Sequence, residues 1–118
     1  MMRRSIVFAL SVPALLAAGG ALAHHGWGSY DAAKKFTITA SVERLEWANP
    51  HVHIDLKHDN ATWEIVLAPP FRMQTRGLTP AMIGKGVRVS VEGYPSTRSA
   101  TEMRAERITV DGKTVELR

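Results

Sequence analysis

Between Phe36 and Trp47 the chain alternates and then changes step. Phe36, Ile38, Ala40 and Val42 are apolar, and Thr37, Thr39, Ser41 and Glu43 separate them. Leu45 and Trp47 then carry the apolar positions with the opposite parity. A period of two marks a strand with one buried face. A parity switch inside one run marks a bulge, here near Glu43-Arg44. A long bulged first strand can serve both sides of a small barrel, and this constrains the fold more than any other stretch.

The same periodicity continues downstream. Asn49-Pro50 breaks the first run and makes a turn. Val52, Ile54 and Leu56 alternate with His51, His53, Asp55 and Lys57, which predicts a second strand with a polar face. His58-Asp59-Asn60 is turn chemistry, and Trp63, Ile65 and Leu67 give the inward face of a third strand. Pro69 to Arg76 fits a short helix ended by Gly77, and Thr79-Pro80 opens a further helical turn to Ile83. Lys85-Gly86 is a turn before a fourth strand with Val87, Val89 and Val91 inward. A fifth strand shows a second parity break, with Met103 and Ala105 apolar first and then Ile108 and Val110. Asp111-Gly112 is a hairpin signal, followed by a short strand, Thr114 to Leu117. Val52, Ile54, Leu56, Trp63, Ile65, Val87, Val89 and Val91 are expected to share one core. The order predicts a mostly β fold: a small OB-like five-stranded barrel with one short helix between strands three and four. A β-sandwich is the alternative, but it calls for about seven strands and no helix.

The first 23 residues read as an export signal. Arg3 and Arg4 give a positive start, an apolar run follows from Ile6 to Ala18, and Ala21-Leu22-Ala23 supplies small residues at a cleavage site. That run is shorter than the ~20 residues a spanning helix needs. Cleavage after Ala23 leaves a single domain of residues 24–118, with an arm at 24–35 tied down by Trp27 and Tyr30. Of the 15 Lys and Arg, 13 remain against 11 Asp and Glu, a net charge of +2. The charges are scattered singly, so the chain lacks the clustered positive charge that nucleic acid requires. With no cysteine, disulfides and thiolate metal sites are excluded.

Three strings point further: Ala23-His24-His25-Gly26-Trp27, the run Val42 to Ile54 containing Trp47-Ala48-Asn49-Pro50-His51-Val52, and Gly84 to Pro95. Together they resemble a family of small exported bacterial proteins, the domain of unknown function 6152. The resemblance covers nearly the whole mature chain, and Trp47 to Val52 is its most specific part. It implies a periplasmic or secreted location, a small β-barrel and a His pair after the signal, and it brings no established activity.

Chemistry centres on histidine. Cleavage before His24 would give that residue two nitrogen donors, its α-amino group and its ring, and His25 adds a second ring. His51 and His53 lie two apart on a strand, so their rings share a face. Imidazole and amine nitrogen suit Cu(II), Ni(II) or Zn(II), with copper favoured by the affinity order. The candidate metal ligands are therefore His24, His25, His51 and His53, with copper as the candidate cofactor. The arrangement resembles a histidine brace if the arm reaches the strand. His58 lies in a turn and is left out. Glu43, Glu46 and Glu64 read as ordinary strand-face charges, the serines sit in no nucleophile-elbow pattern, and there is no phosphate-binding glycine loop. No catalytic residue is assigned. The leading expectation is a periplasmic, non-enzymatic β-barrel that binds a small ligand or an envelope protein. A copper redox enzyme and a metal-free interaction module of the envelope are the rivals. The protein recovered from periplasm should begin at His24. Intact mass checks this, and retention of residues 1–23 would refute it.

Overall fold

The computed structural model describes residues 26–118. The expected export segment and the candidate ligands His24 and His25 lie outside the described residues. Seven strands form one sheet: β1 (Phe36–Ser41), β2 (Arg44–Glu46), β3 (His53–His58), β4 (Ala61–Val66), β5 (Arg88–Pro95), β6 (Glu102–Val110) and β7 (Lys113–Glu116). Their hydrogen-bonded order is β1-β5-β6-β4-β3-β2, with β7 also on β6. All pairs are antiparallel except β4 with β6. One helix, α1 (Pro70–Thr75), stands between β4 and β5.

The mostly β reading with a single short helix holds, but the five-stranded barrel needs correction. Seven strands form an open path that ends at β1 and β2. Two local causes raise the count. The long first run is cut at Val42-Glu43, where successive amides change partner: Val42 N–H donates to Val87 O and Glu43 N–H to Asp55 O, each at 2.9 Å. The first half of the run thus pairs with β5 and the second with β3. At the other end, Asp111 and Gly112 take positive φ of 48° and 74°, the geometry of a two-residue hairpin, and β7 folds back on β6.

Turn residues behave as their chemistry dictates. Asp59 and Asn60 adopt positive φ between β3 and β4, and Gly77 ends α1 at φ +93°. Pro70 opens that helix, where a missing N–H costs nothing. Within it Arg72 donates to Leu117 O, and just past its end Arg76 donates to Glu116 O and Arg118 O. These bonds satisfy carbonyls along the C-terminal edge, which would otherwise offer a pairing template.

Val52, Ile54, Leu56, Ile65, Val89 and Val91 are buried in one cluster, and Trp63 and Val87 pack against it while partly exposed. Met73, Leu78 and Ile83 bring the helical segments into the same core. The second parity break is a register shift between β5 and β6. Glu92 faces Arg107, but Gly93 faces Ala105, so Glu106 is the inserted residue. Met103, Ala105, Ile108 and Val110 are consequently all buried. A Cβ at Gly93 would lie 2.1 Å from Arg104 O and 2.7 Å from Ala105 Cα. No flexible side chain can yield there, because both obstacles are backbone. Gly93→Ala should therefore destabilise the fold by about 1–3 kcal/mol, as overpacking does. Urea unfolding measures it, and an unchanged midpoint would contradict the close approach.

Candidate functional site

Paired positions on neighbouring strands project to the same face. On the face opposite the core, His53 of β3, Val66 of β4 and Arg104 of β6 stand in register, and Asp55, Glu64 and Glu102 form the next row. The β5–β6 loop and the segment before β1 close over this polar surface. The result is a cleft of about 190 Å³, lined among others by Ser29, Tyr30, His53, Arg98, Glu102 and Arg104.

The segment before β1 is fixed by specific bonds. Trp27–Ser29 forms a 3₁₀ turn, and Tyr30 bridges to Ser96. Thr97 donates both its N–H, at 2.9 Å, and its hydroxyl, at 3.1 Å, to Ser29 O. Tyr30 is 7% exposed, and its hydroxyl donates to Glu102 Oε2 at 2.9 Å. The Trp27 ring is held by two guanidinium groups, Arg104 at 4.7 Å and Arg118 at 4.5 Å from the ring centroid. Tyr94 meets the same ring edge-on at 6.1 Å.

Arg104 is the hub of this surface and is only 4% exposed. Besides Trp27, it reaches His51: its Nη2 lies 3.3 Å from His51 Nε2. Arginine only donates, so His51 Nε2 is the acceptor. Burial disfavours the guanidinium charge and lowers the Arg104 pKa from its usual value. His51 lies just before β3, beside Val52, whose backbone continues the ladder to Leu67 and Ala68. His53 has a different partner. Its Nδ1 lies 2.5 Å from Glu64 Oε1, and a carboxylate oxygen can only accept from it.

The structure therefore places His51 and His53 at one end of β3 but gives them opposite electrostatic partners, a cation and a carboxylate. Among the described residues, no three His, Asp or Glu side chains are grouped as a metal-binding set. His58 packs edge-on against Trp63 and lies 3.3 Å from Asp59, away from the cleft lining. Arg104 and the Tyr30–Glu102 contact were not singled out from sequence. Their one sequence signal is parity, because Glu102 and Arg104 flank Met103 and Ala105 on the polar phase of the strand.

Residues 14–105 match the family of unknown function DUF6152. The chain belongs to the DUF6152 family. No curated protein matches this DUF6152 chain in sequence. Among solved structures, its fold is similar to part of the crystal structure of the ZRD-deleted mutant of TiaS in complex with agmatine. The TM-score is 0.51 at 14% identity, over 74% of this chain and 27% of that one. The DUF6152 chain thus spans about a quarter of the TiaS chain, and the likeness concerns the fold. Among the described residues, no helix is long and apolar enough to cross a membrane.

Both tyrosines of the chain face carboxylates, which sets a pH dependence. Burial, followed by the Glu102 bond, raises the Tyr30 pKa, and the Glu106 bond raises that of Tyr94. The neutral phenols are thus favoured by folding. Their contribution is complete below the unfolded value of ~10 and is lost as pH rises through the higher folded values. Tyrosinate absorbance should appear near pH ~10 in urea but only at higher pH in the native protein. Native titration near the unfolded value would refute both pairings.

Proposed function

We propose that this protein is an exported, non-enzymatic binding domain of the periplasm, an OB-like open sheet whose cleft takes a small ligand, and that the ligand is a copper ion. The OB-like reading rests on topology. The two halves of one bent run end the sheet path, α1 separates β4 from β5, and β4 pairs with β6 in parallel. OB-folds bind ligands on the face of their second and third strands and at the loop between the last two. The cleft has the corresponding position, with His53 on β3, Val66 on β4 and Ser96, Arg98 and Ser99 on the β5–β6 loop. This is a fold-level analogy.

One observation carries the copper reading. The segment from Trp27 to Tyr30 is fastened over the same polar face that bears His51 and His53. The chain immediately before it is His24-His25-Gly26. In sequence only Gly26 separates that His pair from the anchored Trp27, so the copper reading asks only a short reach of chain from the anchor. His53 also has the partner that metal-binding histidines usually have, a carboxylate on its other ring nitrogen.

Copper titration of the mature chain, with its native N-terminus, tests this. One Cu(II) should bind per chain, more tightly than Zn(II). His24→Ala should weaken it, and so should one alanine added before His24, which displaces the amine but keeps the ring. Equal affinity in wild type and both variants would remove the N-terminal site. No copper binding at all would leave a metal-free interaction module, whereas turnover of a reductant with oxygen would make the protein a redox enzyme.

A further inference from the structure

We propose that the cleft between the β5–β6 loop and the segment before β1 binds a small organic monocarboxylate, held between Arg98 and Arg104. The proposal goes beyond the copper reading and needs no metal, because it uses the guanidinium side of the cleft.

Charge selects the class of ligand. Arg98 and Arg104 line the cleft, and Glu102 is the only carboxylate among the lining residues. With His53 neutral, two positive charges stand against one negative, and a monoanion balances the remainder. Glu102 also faces a donor of its own, the Tyr30 hydroxyl at 2.9 Å, so its charge is partly answered before a ligand arrives. Arg104 is 4% exposed, and burial above all disfavours its charge, with Arg72 and Arg118 adding to this. An anion beside it would offset that cost.

The donors are set in place by the fold. A guanidinium presents a planar fork that matches the two oxygens of a carboxylate. That of Arg104 is oriented by the Trp27 ring beneath it and by the bond to His51. Arg98 stands on the exposed rim, on a loop fixed by Ser96. Ser96 Oγ accepts the backbone N–H of Arg98 at 3.1 Å and that of Ser99 at 3.0 Å. A hydroxyl that accepts twice keeps its own hydrogen as a donor, and Ser96 lines the cleft as well. Donors therefore come from the buried side, the rim and the loop between them.

Size and polarity define the rest of the ligand. The volume of about 190 Å³ is below the ~300–1,000 Å³ of sites for drug-sized molecules. Val66 and Tyr30 line the same cleft and are buried. They give a short carbon chain an apolar surface to lie on.

Calorimetric titration of the mature protein, kept metal-free with a chelator, tests the proposal with propionate, propionamide and inorganic phosphate. Propionate should bind saturably, one per chain, and about tenfold or more tighter than propionamide, which has the same shape without the charge. Arg98→Ala should weaken propionate about tenfold or more, the usual loss when a hydrogen bond to a charged group is removed. Arg98 is exposed, so the fold should tolerate this change, and an unaltered unfolding midpoint checks it. Arg88→Ala removes the same charge outside the cleft lining and should leave affinity unchanged. Amide NMR shifts on binding should centre on Ser96, Arg98, Ser99 and Arg104. No saturable propionate binding, or equal binding of propionate and propionamide, would overturn the proposal. Equal losses in Arg98→Ala and Arg88→Ala would overturn it too, since the attraction would then be that of net charge alone. Tighter binding of phosphate than of propionate would overturn the carboxylate assignment.

Discussion

Gly93 lets β5 and β6 approach more closely than any side chain allows, and the polar face is built on that approach. The insertion of Glu106 opposite it reverses the phase of β6. With uniform alternation, the phase that buries Ile108 and Val110 would also send Arg104 and Glu102 into the core. The bulge instead buries Met103 and Ala105 and turns Glu102 and Arg104 to the cleft. A bulge of this kind redirects side chains without ending the strand. The Tyr30–Glu102 and Trp27–Arg104 contacts that help fasten the segment before β1 depend on those two residues facing outward.

Burying a guanidinium is costly unless its surroundings replace water. Arg104 meets this with an aromatic face at Trp27 and an imidazole acceptor at His51. A desolvated cation–π contact contributes roughly 2 kcal/mol, more than an exposed one. The partners are also covered by the interaction, since Trp27 shields Arg104 and is itself held in place by it. The buried arginine is therefore a fastener between the first residues described and the sheet. Such a device suits a cysteine-free chain, which has no disulfide to hold an N-terminal arm.

Most of the strand content was legible because alternation is a local property. Val52, Ile54 and Leu56 identify β3 within a few residues, and Asp59-Asn60 and Asp111-Gly112 mark their turns by tolerating positive φ. Both parity breaks were legible too, yet their consequences differ. At Val42-Glu43 the break divides one strand into β1 and β2, whereas at Glu106 it leaves β6 continuous. Alternation cannot distinguish these outcomes, because they depend on which strand lies alongside. The site was less legible for the same reason. His53 and Glu64 are 11 residues apart, His51 and Arg104 are 53 apart, and Tyr30 and Glu102 are 72 apart. Spacing placed His51 and His53 together but could not reveal that one meets a carboxylate and the other a guanidinium.

That asymmetry also bears on the copper proposal. Arg98 and Arg104 line it beside Glu102, whose carboxylate already accepts from Tyr30. Calcium takes six to eight oxygen ligands and magnesium a near-ideal octahedron of them, and this lining does not provide a converging set of carboxylates. Its cationic groups would repel a hard ion that depends on charge neutralisation. An imidazole-bound ion depends less on anionic ligands, because neutral nitrogen supplies the bond directly. Glu64 accepts from His53 Nδ1 and lies behind that imidazole rather than in the cleft lining. The copper proposal therefore asks for neutral nitrogen donors, and not for the carboxylate set that a hard ion would need beside the two guanidinium groups.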